Sequence, residues 1–72
     1  MKEVMLNKEP VELFKILKYE GLAGSGGEAK LAIADSQAKV NGEIETRKRK
    51  KIMAGDIIEF GNIKMKMVLD AK

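Results

Sequence analysis

The 72-residue chain has no cysteine, no histidine and no tryptophan. Without cysteine there is no disulfide and no thiolate-bound metal, which accords with a reducing compartment. Without histidine as well, the usual general bases and activated nucleophiles are missing. The three aspartates, Asp35, Asp56 and Asp70, each fall near the end of an expected element with no base beside them. A chain this short also has little interior in which a dry pocket could shift a Lys or Glu pKa. The sequence therefore reads as a non-enzyme with no cofactor and no metal. No apolar run approaches the roughly 20 residues needed to cross a bilayer, and Met1-Lys2-Glu3-Val4-Met5 lacks a signal-peptide core. A cytoplasmic protein with no membrane partner is expected.

Positive charge is present, and it is concentrated. Arg47-Lys48-Arg49-Lys50-Lys51 form five consecutive cations shortly after Asn41-Gly42. Residues 39 to 51 carry six basic residues, Lys39 and that run, against Glu43 and Glu45, a local balance of +4 in a chain of formal net charge +3. Such a patch suits a polyanion, because each cation placed on a nucleic-acid backbone releases condensed counterions. Arginine offers a planar fork for bidentate phosphate contact and lysine a mobile point charge, so a mixed run can follow an irregular backbone. Aromatic side chains, which read unstacked bases, are limited to Phe14, Tyr19 and Phe60. Both phenylalanines lie on apolar stripes; Tyr19 alone is a candidate for stacking, with core packing as its first reading. This inventory favours shape and backbone recognition of folded RNA over sequence-specific reading of single strands.

One domain spanning residues 1–72 is expected, helical first and strand-rich after. Lys2 to Leu6 reads as an edge strand. Pro10 suits the first turn of a helix, where its missing N–H costs nothing. Val11, Leu13, Phe14, Ile16 and Leu17 supply the apolar stripe of that helix, and Gly21 fits a left-handed cap at its end. Ser25-Gly26-Gly27-Glu28 has the form of a capping box opening a second helix, with Ala29, Ala32 and Ile33 on one face and Lys30 pointing to solvent. Asp35-Ser36 closes it. From Gln37 the period becomes two, and Asn41-Gly42 is a type I′ hairpin signal. Ala54-Gly55-Asp56 and Gly61-Asn62 mark further turns. Ile63, Met65, Met67 and Leu69 share one face of the last strand, with Lys64 and Lys66 on the other. Met5, Met53, Met65 and Met67 read as core filler. If Ile44 and Ile52 both face inward and the strand stays regular between them, Arg47, Arg49 and Lys51 share the outward face with Glu43 and Glu45, but a run this charged reads as a loop. The expected fold is α+β, two helices packed on one face of a small, mostly antiparallel sheet.

The run Leu22-Ala23-Gly24-Ser25-Gly26-Gly27-Glu28-Ala29-Lys30, then Ile33, Val40-Asn41-Gly42 and Gly55-Asp56-Ile57, resembles the S4 RNA-binding domain. That family pattern is a glycine-leucine-alanine turn, a serine-capped helix bearing Ala and a basic residue, a Val-Asn-Gly hairpin and a Gly-Asp before a strand. The likeness covers residues 11 to 60, and Glu45-Thr46-Arg47-Lys48-Arg49 is similar to a segment of the small stand-alone bacterial members. Two positions depart from the pattern. Gly26 stands where many members have arginine, and Ser36 where many have glycine.

The resemblance implies an αL motif that binds structured RNA, ribosomal RNA or tRNA, across the helix pair and the adjoining hairpin, with the ribosome as a further partner. In this chain the surface would include Lys30, Lys39, Arg47, Lys48, Arg49, Lys50 and Lys51, on a monomer. Lys15 and Lys18 read as solubilising. Gly24 to Gly27 lacks the Gly-Lys-Ser/Thr ending of a nucleotide-phosphate loop. The competing class is a small adaptor whose basic loop docks an acidic protein partner.

Overall fold

The computed structural model describes residues 1–70. Strand β1 (Lys2–Leu6) is followed by a two-residue strand β2 (Val11–Glu12), helix α1 (Leu13–Tyr19) and helix α2 (Gly26–Ala34). Five strands complete the chain: β3 (Ala38–Val40), β4 (Glu43–Ile44), β5 (Lys51–Ile52), β6 (Ile57–Phe60) and β7 (Ile63–Leu69). One sheet has the order β1-β7-β6-β3-β4, and β2 and β5 form a separate antiparallel pair. The large sheet is antiparallel except where β1 lies parallel to β7. No helix among the described residues is long and apolar enough to cross a membrane.

Local chemistry explains the helix ends. At the end of α1, Gly21 adopts φ +74° while its amide donates to the Lys18 carbonyl and the Leu22 amide to that of Leu17. This is a Schellman closure, and it needs the left-handed conformation that glycine takes without a Cβ clash. Helix α2 closes in the same way through Ser36 at φ +63°, with Ser36 donating to Ile33 and Gln37 to Ala32. At the start of α2 the Glu28 amide donates to Ser25 Oγ at 3.2 Å. The Glu28 carboxylate reaches one residue further back than a simple capping box, accepting from the Gly24 amide at 2.9 Å.

The helices cover one face of the five-stranded sheet. Leu13, Ile16, Leu17, Ala29 and Ile33 meet the inward residues of the strands, among them Val4, Leu6, Ala38, Val40, Ile58, Met65 and Met67, in one buried cluster. Burial alternates along β3, where Lys39 is exposed between buried Ala38 and Val40. The turn between β3 and β4 has Asn41 and Gly42 at positive φ, as a two-residue I′ hairpin requires. Asn41 also ties that hairpin to the next turn. Its Nδ2 donates to Asp56 Oδ1 at 3.1 Å, its Oδ1 accepts from the Ile57 amide at 2.9 Å, and Asp56 Oδ2 accepts from the Met53 amide at 2.9 Å.

Several sequence expectations are corrected. Pro10 precedes the helix and does not sit in its first turn, because the backbone of Val11 and Glu12 pairs with Ile52 and Lys51. Met5 and Met53 are 60% and 49% exposed, so only Met65 and Met67 act as core filler. Tyr19 is 70% exposed, at the solvent end of α1, and is no core residue. Ile44 is exposed while Ile52 is fully buried, since the chain leaves regular pairing after Ile44 and returns at Lys51. Ile63 and Leu69, at the ends of β7, are also partly exposed.

Candidate nucleic-acid interface

Glu12 at the start of α1 supplies no side-chain cap. Two orphan amides of the first turn are satisfied by the basic run itself: Leu13 N–H donates to the Lys50 carbonyl at 2.9 Å and Phe14 N–H to the Lys48 carbonyl at 3.2 Å. The run is further held by the β2–β5 pairing, by Lys50 N–H donating to the Arg47 carbonyl, and by Ala54 N–H donating to Glu9 Oε2 at 2.8 Å. Backbone groups of the loop are thus turned to the protein, and the cationic side chains are left to solvent.

Phe14 is the hub of the resulting cluster. Its ring is buried, with Lys30 Nζ 4.6 Å, Arg49 Cζ 5.5 Å and Lys15 Nζ 6.0 Å from the centroid. The negative face of an aromatic ring attracts cations, so one side chain gathers charges from α1, α2 and the loop. Glu12 anchors two of them, with Oε2 3.3 Å from Arg49 Nη1 and Oε1 3.4 Å from Lys15 Nζ. Desolvation alone would raise the Glu12 carboxyl, but the hydrogen bonds and charges of Arg49 and Lys15 outweigh it and hold the group below the ordinary carboxylate value.

Arg47 is oriented by Glu45. Its Nε donates to Oε2 at 2.9 Å and its Nη2 to Oε1 at 3.1 Å, and this bidentate contact is the main reason the Glu45 carboxyl is lowered. The Arg47 side chain is still 71% exposed and Arg49 is 59% exposed, so neither guanidinium is sequestered by its carboxylate. Arg47 and half-buried Lys50 share the wall of a 420 Å³ concavity with the β3–β4 hairpin. Lys48 and Lys51 are exposed and make no ion pair among the described residues.

Of the sequence-named residues, Lys30 and Arg49 meet at Phe14, and Arg47, Lys48, Lys50 and Lys51 continue from there along the loop. Lys30 is half-buried over the ring and does not simply point to solvent. Lys39 stands apart. It lies on the sheet face away from the helices, registered with Ile44 and Glu59. Sequence reasoning missed Phe14, Glu12 and Lys15 as parts of the arrangement. The (i, i+3) spacing of Glu12 and Lys15 was a readable sign of pairing, whereas nothing local pointed Phe14 at Arg49.

The S4 domain family model matches residues 4–68. Over 64 residues, 88% of this chain and 91% of the relative, the sequence is 50% identical to the putative RNA-binding protein YbcJ of Escherichia coli K12. It is 30% identical over 57 residues, 79% of this chain and 80% of the relative, to the probable ribosome maturation protein RlbA of Bacillus subtilis. The solution structure of E. coli YbcJ, described as having an αL motif involved in RNA binding, superposes with a TM-score of 0.71 at 48% identity, covering 94% of this chain and 87% of that one. Sequence match, shared fold and the Ser25-capped helix beside the Asn41-Gly42 hairpin together place the chain in the S4 domain family.

Proposed function

We propose that this protein is a non-catalytic RNA-binding protein that grips the phosphate backbone of structured RNA through the surface centred on Phe14. The observation that carries it is the convergence of Lys15, Lys30 and Arg49 on one ring, beside a loop whose carbonyls are bound to α1 and whose cations face out. Phosphates are the ligand this chemistry fits: exposed guanidinium and ammonium groups, with Tyr19 the one largely exposed aromatic among the described residues. The likeness to YbcJ, a putative RNA-binding protein, supports RNA as the ligand, and that to RlbA, a probable ribosome maturation protein, supports the ribosome as the setting; ribosomal RNA or tRNA is the structured target of this reading. The protein acts as a monomer in the cytoplasm, and Lys39 makes at most a separate contact from the opposite sheet face.

About five phosphate contacts give a log-affinity slope against log salt of roughly 4 in magnitude, at 0.7–0.9 per contact. The test is fluorescence anisotropy with ribosomal RNA helices, tRNA and an unstructured strand, comparing the wild type with a Lys48→Glu/Arg49→Glu variant. Tighter binding to the folded RNAs, lost in a variant that still folds, is the expected result. A wild type with no affinity for any RNA, yet with a protein partner that the same variant loses, assigns the loop to an adaptor.

A further inference from the structure

We propose that the free edge of β1 and the facing side of α1 form a docking groove for an extended peptide segment of a partner protein, which adds to the sheet as a sixth strand. Strand β1 is the sheet edge, paired only with β7. Leu6 is registered with Leu69, and its carbonyl accepts from the Asp70 amide at 2.8 Å. In a strand the N–H and C=O of one residue point the same way, and the direction alternates along the chain. Lys2, Val4 and Leu6 therefore address β7, while the backbone groups of Glu3 and Met5 face the open side.

Beside that edge runs a groove of 580 Å³. Its far wall is one face of α1, formed by Lys15, Ile16 and Tyr19, and Val4, Leu6 and Ile16 give it an apolar floor. Met5 and Tyr19 stand exposed along it, and the 2.9 Å Lys2–Glu20 ion pair bridges from β1 to the end of α1. Natural sheets blunt such edges with charged side chains, proline, bulges or a covering element. Here Lys2 and Glu3 charge the start of β1, while Val4, Met5 and Leu6 leave its second half regular and apolar.

The row of open peptide groups selects the occupant. It complements the backbone of another strand, and the single groove beside it can receive that strand's inward side chains. Charge narrows the choice further. The groove acids are neutralised within the fold, Glu12 by Lys15 and Arg49 and Glu20 by Lys2, whereas Lys8 makes no ion pair among the described residues. The partner segment is extended, apolar at alternate positions, and acidic where it passes Lys8. None of residues 47–51 lines the groove; it meets the Phe14 cluster only at Glu12 and Lys15, and its open end at β1 and Lys8 lies outside that cluster.

A random decapeptide library panned on the immobilised full chain, with the selected peptides titrated into the ¹⁵N-labelled protein, tests this. Shifts confined to Glu3, Met5, Lys8 and Tyr19, strand-type intermolecular NOEs to Met5 and an acidic, alternating consensus are expected. Met5→Pro removes an open-side N–H but no bond to β7, and should weaken binding at least roughly ten-fold with thermal melting unchanged. Lys8→Glu should weaken it several-fold, and that exposed substitution carries the test alone if Met5→Pro lowers the melting temperature. An empty selection, shifts on another surface, or full binding by Lys8→Glu overturns the proposal. So does movement of the same amides with protein concentration alone, which assigns the groove to a second copy, or with structured RNA alone, which assigns it to RNA.

Discussion

Arg49 stands over Phe14, its guanidinium carbon 5.5 Å from the ring centroid, while the Phe14 amide donates to the carbonyl of the preceding residue, Lys48. One aromatic residue thus fixes the basic loop twice, through its backbone and through its ring. Replacing Phe14 by Leu keeps an apolar side chain in the core and the amide contact, but removes the ring.

Phe14→Leu is therefore expected to cost about 1 kcal/mol of stability. It should weaken RNA binding by up to roughly five- to thirty-fold, since the Lys30 and Arg49 cation–π contacts contribute about 0.5–1 kcal/mol each. The salt dependence should be unaltered, because the number of cations is the same. Urea melts and anisotropy at several salt concentrations measure both. An unchanged affinity would mean that the ring does not organise the charges.

The depressed carboxyls of Glu12 and Glu45 give a signed pH dependence. A group whose folded pKa lies below its unfolded value stabilises the fold above the ordinary value of 4.5 and loses that contribution as pH falls through the lower folded value. The melting temperature should accordingly fall with acidification below pH ~4.5. A Glu12→Gln/Glu45→Gln variant should melt lower than the wild type at neutral pH and show a shallower acid decline. Removing these carboxylates also raises the net positive charge, so RNA should bind it more tightly at neutral pH. Equal acid slopes in the two proteins would contradict the assignment.

Asn41 links two turns, and its conversion to Asp tests that link. The new carboxylate would face Asp56 across a contact now 3.1 Å long, exchanging a hydrogen bond for like-charge repulsion. A loss of about 1–3 kcal/mol is expected at neutral pH, shrinking as the solution is acidified. Asn41→Ser, which adds no charge, should destabilise without that pH dependence.

Gly26, where many S4 members have arginine, offers a gain of function. A Cβ there would meet the nearest Phe14 carbon at 3.7 Å, an ordinary contact, and the position opens α2 close to the ring. Gly26→Arg should fold as the wild type does, bind structured RNA several-fold more tightly and steepen the salt slope by roughly one contact, 0.7–0.9. Calorimetry with titration at several salt concentrations reads both. Unchanged affinity would place bound RNA away from the start of α2.

Features governed by near neighbours were legible in the sequence. Ser25 and Glu28 announce the α2 cap, Gly21 the Schellman closure, and Asn41-Gly42 the hairpin, because each motif closes hydrogen bonds within a few residues. The strand alternation of β7 placed Met65 and Met67 in the core. The α1 start was misread because Val11 and Glu12 pair with Lys51 and Ile52, residues far along the chain, and that pairing overrides the helical position Pro10 would favour. The hub at Phe14 was hidden for the same reason: an apolar stripe predicts that the ring is buried, not which cations lie over it. Met5, Met53 and Tyr19 show the converse, since apolar character does not bury a side chain at a sheet edge, in a loop or at a helix end.

The most direct test of the account is the salt dependence of binding to a folded RNA by the wild type and by Lys48→Glu/Arg49→Glu. The account predicts a slope near 4 in magnitude for the wild type, falling by about 1.4–1.8 with a large loss of affinity in a variant that keeps its fold. Equal slopes and affinities for the two proteins would contradict it.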